Sequence, residues 1–293
     1  MTPAGHLLSG YVVGAWVAAG GAGKIARRWI VGSALAGGLA PDADVVFGLV
    51  GGWDGAGLHR GFTHSLPAAV AFGALAAVVA RLDRRRVFLA GLAGVLTHIF
   101  WDGLNVWGVK LLWPVEWYYT AGLVHEGDLY ALAIVGLAGA LVWRGYRRLT
   151  VAALALLIPA YLLVQVEWRQ QARLLAQGLA GRRAEVYPTG RLRCGWIAVS
   201  AGAADLAVDC VDSPRAARLD RVFAVPLRDG ALIHASQQSP AVREFVEKIP
   251  FPFAEERRTP DGGAWVVWRD VREAWRQKAE AAPTGLHVRL NAQ

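Results

Sequence analysis

A chain of 293 residues that is 55% apolar and only 18% charged has room for one large or two ordinary domains, and its apolar share is unusual for a soluble protein. Its formal charge of +8 does not mark a nucleic-acid binder, because the arginines stand in short clusters beside apolar blocks rather than along one amphipathic face. No nucleic-acid partner is expected.

Apolar residues come in long blocks from Leu7 to about Val166, after which the charge density is that of an ordinary soluble domain. A bilayer core takes about 20 mostly apolar residues per helix. Six stretches meet or approach that length: residues 7–23, 29–51, 64–82, 87–107, 129–143 and 149–167. The first lacks a basic leader, so it is expected to stay in place rather than be cleaved as a signal peptide. The first and fifth are short and rich in Gly and Ala, which suits close helix packing in lipid. The expected fold is an α-helical polytopic membrane domain of five or six transmembrane helices over residues 1–168, a linker over 169–183, and a small soluble α+β domain over 184–293. Such a chain is expected to be integral to a bacterial cytoplasmic (inner) membrane, with the lipid bilayer as its partner.

Positively charged loops tend to stay cytoplasmic. Lys24, Arg27 and Arg28 follow the first stretch, Arg81, Arg84, Arg85 and Arg86 the third, and Arg144, Arg147 and Arg148 the fifth, whereas the second and fourth loops offer Arg60 and Lys110. The alternation puts the N-terminus, the even loops and the C-terminal domain on the extracytoplasmic side. Arg169, Arg173, Arg182 and Arg183, after the sixth stretch, run against it.

Ionisable groups within membrane spans cost about 2.5–3.5 kcal/mol each on insertion scales, so each needs a reason. In chain order the apolar half carries His6, then Asp42 and Asp44 in APDAD, His59 and His64 in HRGFTHS, and His98 and Asp102 in LTHIFWDGL, followed by His125, Glu126 and Asp128. Pro41 interrupts the helical ladder beside two carboxylates. Gly61 permits the bend needed to turn His59 and His64 inward, while Thr63 or Ser65 reads as a cap for the next helix. His98 and Asp102, at i and i+4, share one helix face. Taken singly, these residues also read as a neutralising His–Asp pair, a helix cap and an interfacial histidine. Taken with the expected topology, they converge on one membrane face, which points to a common metal site.

Histidine and carboxylate ligands without thiolates suit one or two divalent ions, Zn or Mn, rather than a closed structural zinc site. Six or more potential ligands exceed the need of one tetrahedral ion and would serve a two-metal cluster.

Beyond residue 170, residues 192–200, 206–211 and 222–227 read as strands, Ser239-Pro240 as the start of a helix, and TPDGG at 259–263 as the turn of a hairpin. Cys194 and Cys210 lie in neighbouring strand-like stretches. They fit either a disulfide in an oxidising compartment or two buried thiols.

The GH ending at His6, PDAD at 41–44, HRGFTHS at 59–65 and HIFWD at 98–102 together resemble the YdjM/YbcI-like (DUF457) family of membrane-bound metal-dependent hydrolases over roughly residues 1–114. The later apolar stretches and the C-terminal region are similar to its longer bacterial members. The resemblance implies a divalent-metal hydrolase whose ligands are His6, Asp42, Asp44, His64, His98 and Asp102, with His59 and Arg60 facing the substrate.

On this reading the expected activity is hydrolysis by metal-activated water. Asp44 is a ligand or orients that water, and Arg60 stabilises charge developing on a phosphoryl or carbonyl oxygen. A site at the membrane face favours an amphiphilic substrate such as a phospholipid or lipid-linked phosphate. The alternative is a protein that binds or transports a divalent metal without hydrolysis. A transporter would spread its ionisable groups through the bilayer depth, whereas these cluster. A second alternative is a membrane protein whose metal only holds the helices together while its C-terminal domain binds a partner.

Overall fold

A computed structural model describes residues 1–44, 60–115, 117–178, 183–191, 194–213, 216–226, 230–258, 263–274 and 286–290. The chain divides into two compact units, one of Met1–Glu167 with Pro188–Arg191 and one of Trp168–Tyr187 with Leu192–Gln293.

The first unit is helical. Helix α1, Pro3–Ala18, starts with Pro3 in its first turn and the Thr2 hydroxyl accepting from Gly5 N, two features that satisfy or remove otherwise orphaned N–H groups. Helix α2, Lys24–Leu39, is followed at once by a 3-10 turn, Pro41–Asp44. A second 3-10 turn, Phe62–His64, leads into α3, Leu66–Val79, which is capped by the Ser65 hydroxyl accepting from Ala68 N. Helix α4 is Arg84–Gly103, and α5, Leu129–Trp143, starts where Asp128 accepts from Tyr130 N and Ala131 N.

Small residues let α1, α2 and α4 come together. A Cβ on Gly38 would lie 2.6 Å from the His6 carbonyl oxygen, and one on Gly10 would lie 2.5 Å from that of Ala34. Neither position tolerates a side chain without backbone movement. Ala18, Ile30, Ala34, Val87 and Ala90 fill the space between these helices. Ser33 ties α2 to α4 by donating to the Val87 carbonyl at 3.0 Å.

The expectation of five or six transmembrane helices is corrected here. Among the described residues a single helix, α6 at Arg147–Gln177, is long and apolar enough to cross a membrane. Helices α3 and α5 are apolar but have 14 and 15 residues, short of the roughly 20 a bilayer core requires. Pro41 supplies one physical reason. The second expected span was to run through residues 29–51, but the α-helix stops at Leu39 and the chain tightens into the 3-10 turn that holds Asp42 and Asp44. Helix α4 has the length, but it opens with three arginines and carries His98 and Asp102.

In the second unit, strands β1 Arg183–Pro188, β2 Trp196–Ala201, β3 Asp205–Ser213 and β4 Ala216–Pro226 form one sheet in sequence order, and β5 Pro252–Arg258, β6 Ala264–Asp270 and β7 Leu286–Leu290 form another. The expected hairpin is present as the antiparallel pair β5 and β6, while residues 259–262 of its turn lie outside the described residues. Helices α7 Ala231–Ser236, α8 Pro240–Lys248 and α9 Val271–Ala274 complete the unit.

Alternation along β2 sends Ile197 and Val199 to a core shared with Phe251, Phe253 and Val271, and sends Trp196 and Ala198 to a second core with Ala172 and Ala176 from the end of α6. Both sheet faces are thus covered, which explains the unbroken burial of this strand. Cys194 and Cys210 form a disulfide. Asp270 and Arg272 make a buried bidentate pair, with Nη2 2.6 Å from Oδ2.

Candidate metal centre

Four side chains from three parts of the first unit meet at one point. The 3-10 turn after α2 presents Asp42, the turn before α3 presents His64, and one face of α4 presents His98 and Asp102. One ligand atom from each lies within 4.8 Å of every other. This cluster could hold a metal ion. His64, His98 and Asp102 are buried, whereas the Asp42 side chain keeps 29% of its surface exposed.

The hydrogen-bond partners determine which ring nitrogens are available. His98 Nδ1 lies 2.8 Å from the Gly38 carbonyl oxygen, which can only accept, so Nδ1 carries the proton and a neutral ring leaves Nε2 bare. His64 Nδ1 lies 3.1 Å from Thr63 Oγ1, and the Thr63 hydroxyl in turn donates to Asp44 Oδ2. With its proton given to Asp44, Thr63 offers His64 only a lone pair, so His64 also carries its proton on Nδ1.

The two Nε2 atoms then face each other at 3.1 Å. Asp42 Oδ1 is 3.4 Å from His98 Nε2 and 3.7 Å from His64 Nε2, and Asp102 Oδ2 is 3.6 Å from both. Four electron-rich atoms point at one small space. That arrangement needs either extra protons on the imidazoles or a cation, and the donor set of two imidazoles and two carboxylates fits a divalent transition metal. Metal–ligand distances of about 2.0–2.2 Å imply ligand separations no greater than about 4.4 Å, so a single ion requires little contraction. Burial opposes charge on Asp42, but its hydrogen bonds with His64 and His98 outweigh it and hold the carboxyl well below the usual range.

Other groups brace this cluster. His6 stacks on His98 with ring centroids 3.7 Å apart, and its Nε2 lies 3.4 Å from Asp102 Oδ1. Among the described residues neither of its ring nitrogens completes a hydrogen bond, although the residue is 1% exposed. The Met1 amino group is 2.7 Å from the same carboxylate oxygen. Arg60, at a positive φ of 65°, sets Nη2 3.3 Å from Asp102 Oδ2 and donates from Nη1 to the Gly108 carbonyl oxygen at 3.4 Å. The loop that carries Arg60 is pinned by Lys110 N donating to its carbonyl and Leu66 N donating to Leu111 O.

Of the expected site residues, the structure brings Asp42, His64, His98 and Asp102 into one cluster and places His6, Asp44 and Arg60 against its members. His59 lies outside the described residues. Asp128 caps α5, and Gly127 N donates to His125 Nδ1 at 2.9 Å. Of Thr63 and Ser65, the two candidates for the helix cap, Ser65 supplies the cap and Thr63 links His64 to Asp44. Its place directly before His64 was the available signal.

The family described as YdjM inner membrane protein matches residues 1–172. The chain is 26% identical over 227 residues to the uncharacterized protein YfhP of Bacillus subtilis (strain 168), spanning 74% of this chain and 69% of that protein. No solved structure matches.

Proposed function

The chain belongs to the YdjM inner membrane protein family, and from that membership and the His/Asp cluster we propose that it is a metal-dependent hydrolase acting on a phosphoester of a lipid or lipid-linked substrate. The observation that carries this reading is the convergence of Asp42, His64, His98 and Asp102 with both imidazole Nε2 atoms turned inward. In this proposal those four residues hold one divalent ion, Zn or Mn. When bound, such an ion supplies Lewis acidity toward a phosphoryl oxygen and a source of hydroxide near neutral pH.

The chain's own residues have distinct parts in the proposal. Gly38 and the Thr63–Asp44 pair fix the protonated nitrogens of His98 and His64. Arg60 holds Asp102 in place, His6 packs against the His98 ring, and the arginine's charge offsets the cluster's two carboxylates. Asp42, the least buried member of the cluster, stands where a substrate enters. His59, next to Arg60 in the sequence, is assigned to the substrate side. The disulfide between Cys194 and Cys210 supports placing the C-terminal unit in the oxidising, extracytoplasmic compartment.

Full-length protein in detergent should contain about one equivalent of transition metal and release phosphate from lipid phosphates. Well-folded protein that takes up no metal would sink the proposal.

A further inference from the structure

Two clefts in the helical unit run into each other along α3. The larger, about 550 Å³, lies between α2 and α3 and is lined by Arg28, Trp29, Gly32, Ala36, Phe72 and Leu75 among others. The smaller, about 230 Å³, shares Phe72 and Leu75 with it and continues past Ala68 to Pro41, Phe62 and Thr63. Ala68, Phe72, Leu75 and Val79 recur at a spacing of three or four residues, so one face of α3 lines the groove along the helix. At 1.5 Å per residue, the 14 residues of α3 give it a length of about 21 Å.

The groove is apolar for most of this length. Leu75 and Val79 are 61% and 58% exposed, and the Ser33 hydroxyl that borders it is already donating to the Val87 carbonyl. Its charged lining residue, Arg28, stands at one end. The opposite end is the metal cluster's own border. Pro41 precedes Asp42, the cluster member with 29% of its side chain exposed, and Thr63 precedes His64 and hydrogen-bonds Asp44. A narrow apolar groove whose end residue Thr63 touches His64 Nδ1 at 3.1 Å matches an amphiphile with one long chain.

We propose that this groove binds the acyl or prenyl chain of an anionic membrane amphiphile, with its head group at the Pro41 and Thr63 end and its chain running along α3 toward Trp29. The proposal rests on the hydrolase reading for the identity of the head as a phosphoester. It adds the binding site, its direction and the requirement for a long chain.

The test uses the full chain in nanodiscs and a long-chain alkyl phosphate with a diazirine either beside the phosphate or at the chain end. After photolysis, mass spectrometry should map head-label adducts to Phe62 and Thr63 and chain-end adducts to Trp29 and Val79. Gly32 faces open space where a side chain would go, so Gly32→Trp should fill the groove and cut chain-end adducts at least tenfold while metal content is retained. Ala71→Trp, at another exposed lining position, provides a second blocking variant should the first fail to fold. Ala74→Trp, exposed on α3 but outside the groove, should leave the adduct pattern unchanged. Head-label adducts at Arg28, or adducts scattered over the exposed face of α5, would overturn the proposal. Labelling needs no turnover. Groove adducts in a protein that hydrolyses no phosphoester would therefore overturn the hydrolase reading and keep the groove. Hydrolysis with scattered adducts would do the reverse.

Discussion

His64 and His98 turn their Nε2 atoms toward each other at 3.1 Å, while Nδ1 of each ring faces a group that requires it to carry the proton. Two neutral imidazoles in that state repel unless a further proton on a ring or a cation between them and the two carboxylates relieves it, and a cation there has a measurable consequence. His98→Ala and Asp102→Asn should each lower bound metal at least about tenfold at pH 7, a loss of about 1.4 kcal/mol or more in binding. Elemental analysis of purified protein checks it, and full metal occupancy in both variants would show that the ligands lie elsewhere.

Chelation gives a second, independent readout. A ligand that binds only the folded state stabilises it by about 2.7 kcal/mol when free ligand is 100 times Kd. Removing metal with a chelator should lower the melting temperature of the helical unit, and restoring it should reverse the change. His98→Ala protein should show no such response. A chelator effect of equal size in wild type and variant would place the responding metal outside this cluster.

Thr63 and Asp44 should act through His64 rather than as ligands. The Thr63 hydroxyl sits between His64 Nδ1 and Asp44 Oδ2, and partners that orient a metal-bound histidine contribute about 10–100-fold in affinity. Thr63→Val keeps the shape and removes the hydroxyl, so metal affinity should fall within that range. Thr63→Ser should restore it. Competition with a metal-binding dye measures both, and equal affinity in Thr63→Val and wild type would reduce this contact to packing.

How much of the site could be read in advance depended on whether the signal was local. His98 and Asp102 are one helical turn apart, and that spacing alone places them on a shared face. Asp42 and His64 came from motifs flanking a proline and a glycine, which mark where a chain leaves regular structure. The role of Thr63 was hidden because a hydroxyl just before a helix reads as a cap, and only the fold shows that Ser65 fills that position. Hydropathy also hid the helix lengths. It registers apolar residues but not the hydrogen-bond ladder, which changes to a 3-10 turn at Pro41. In the second unit, β1 reads RAEVYP and β7 reads LHVRL. Both alternate polar with apolar residues, but over only four or five positions in charge-rich surroundings, so neither strand stood out.

Gly38 connects helix packing to the orientation of His98. Its carbonyl receives His98 Nδ1, and a Cβ added to it would lie 2.6 Å from the His6 carbonyl oxygen. Backbone cannot yield as a flexible side chain can, so Gly38→Ala must push α1 and α2 apart, an overpacking cost of about 1–3 kcal/mol. The variant should therefore lose thermal stability and metal affinity together. Gly32→Ala, which faces open space on the same helix, should lose neither. If Gly38→Ala melted early but bound metal as tightly as wild type, the carbonyl contact would have no part in orienting His98.

The Cys194–Cys210 disulfide closes a loop with a sequence separation of 16, for which chain entropy gives a stabilisation of about 3 kcal/mol. Cys194 packs beside the core of Ile197, Val199, Leu206 and Val208, and Cys210 is itself buried. Reduction would thus loosen β3 where it pairs with β2 through Ile197 and Cys210. Cys194→Ser should make the C-terminal unit sensitive to protease at temperatures the wild type withstands, while the metal content of the helical unit stays the same. In cells, a maleimide that reacts only with free thiols should fail to modify the wild type until a reductant is added. Prompt labelling of both cysteines in untreated cells would indicate a reducing environment and place this unit in the cytoplasm, against the orientation drawn from the basic loops.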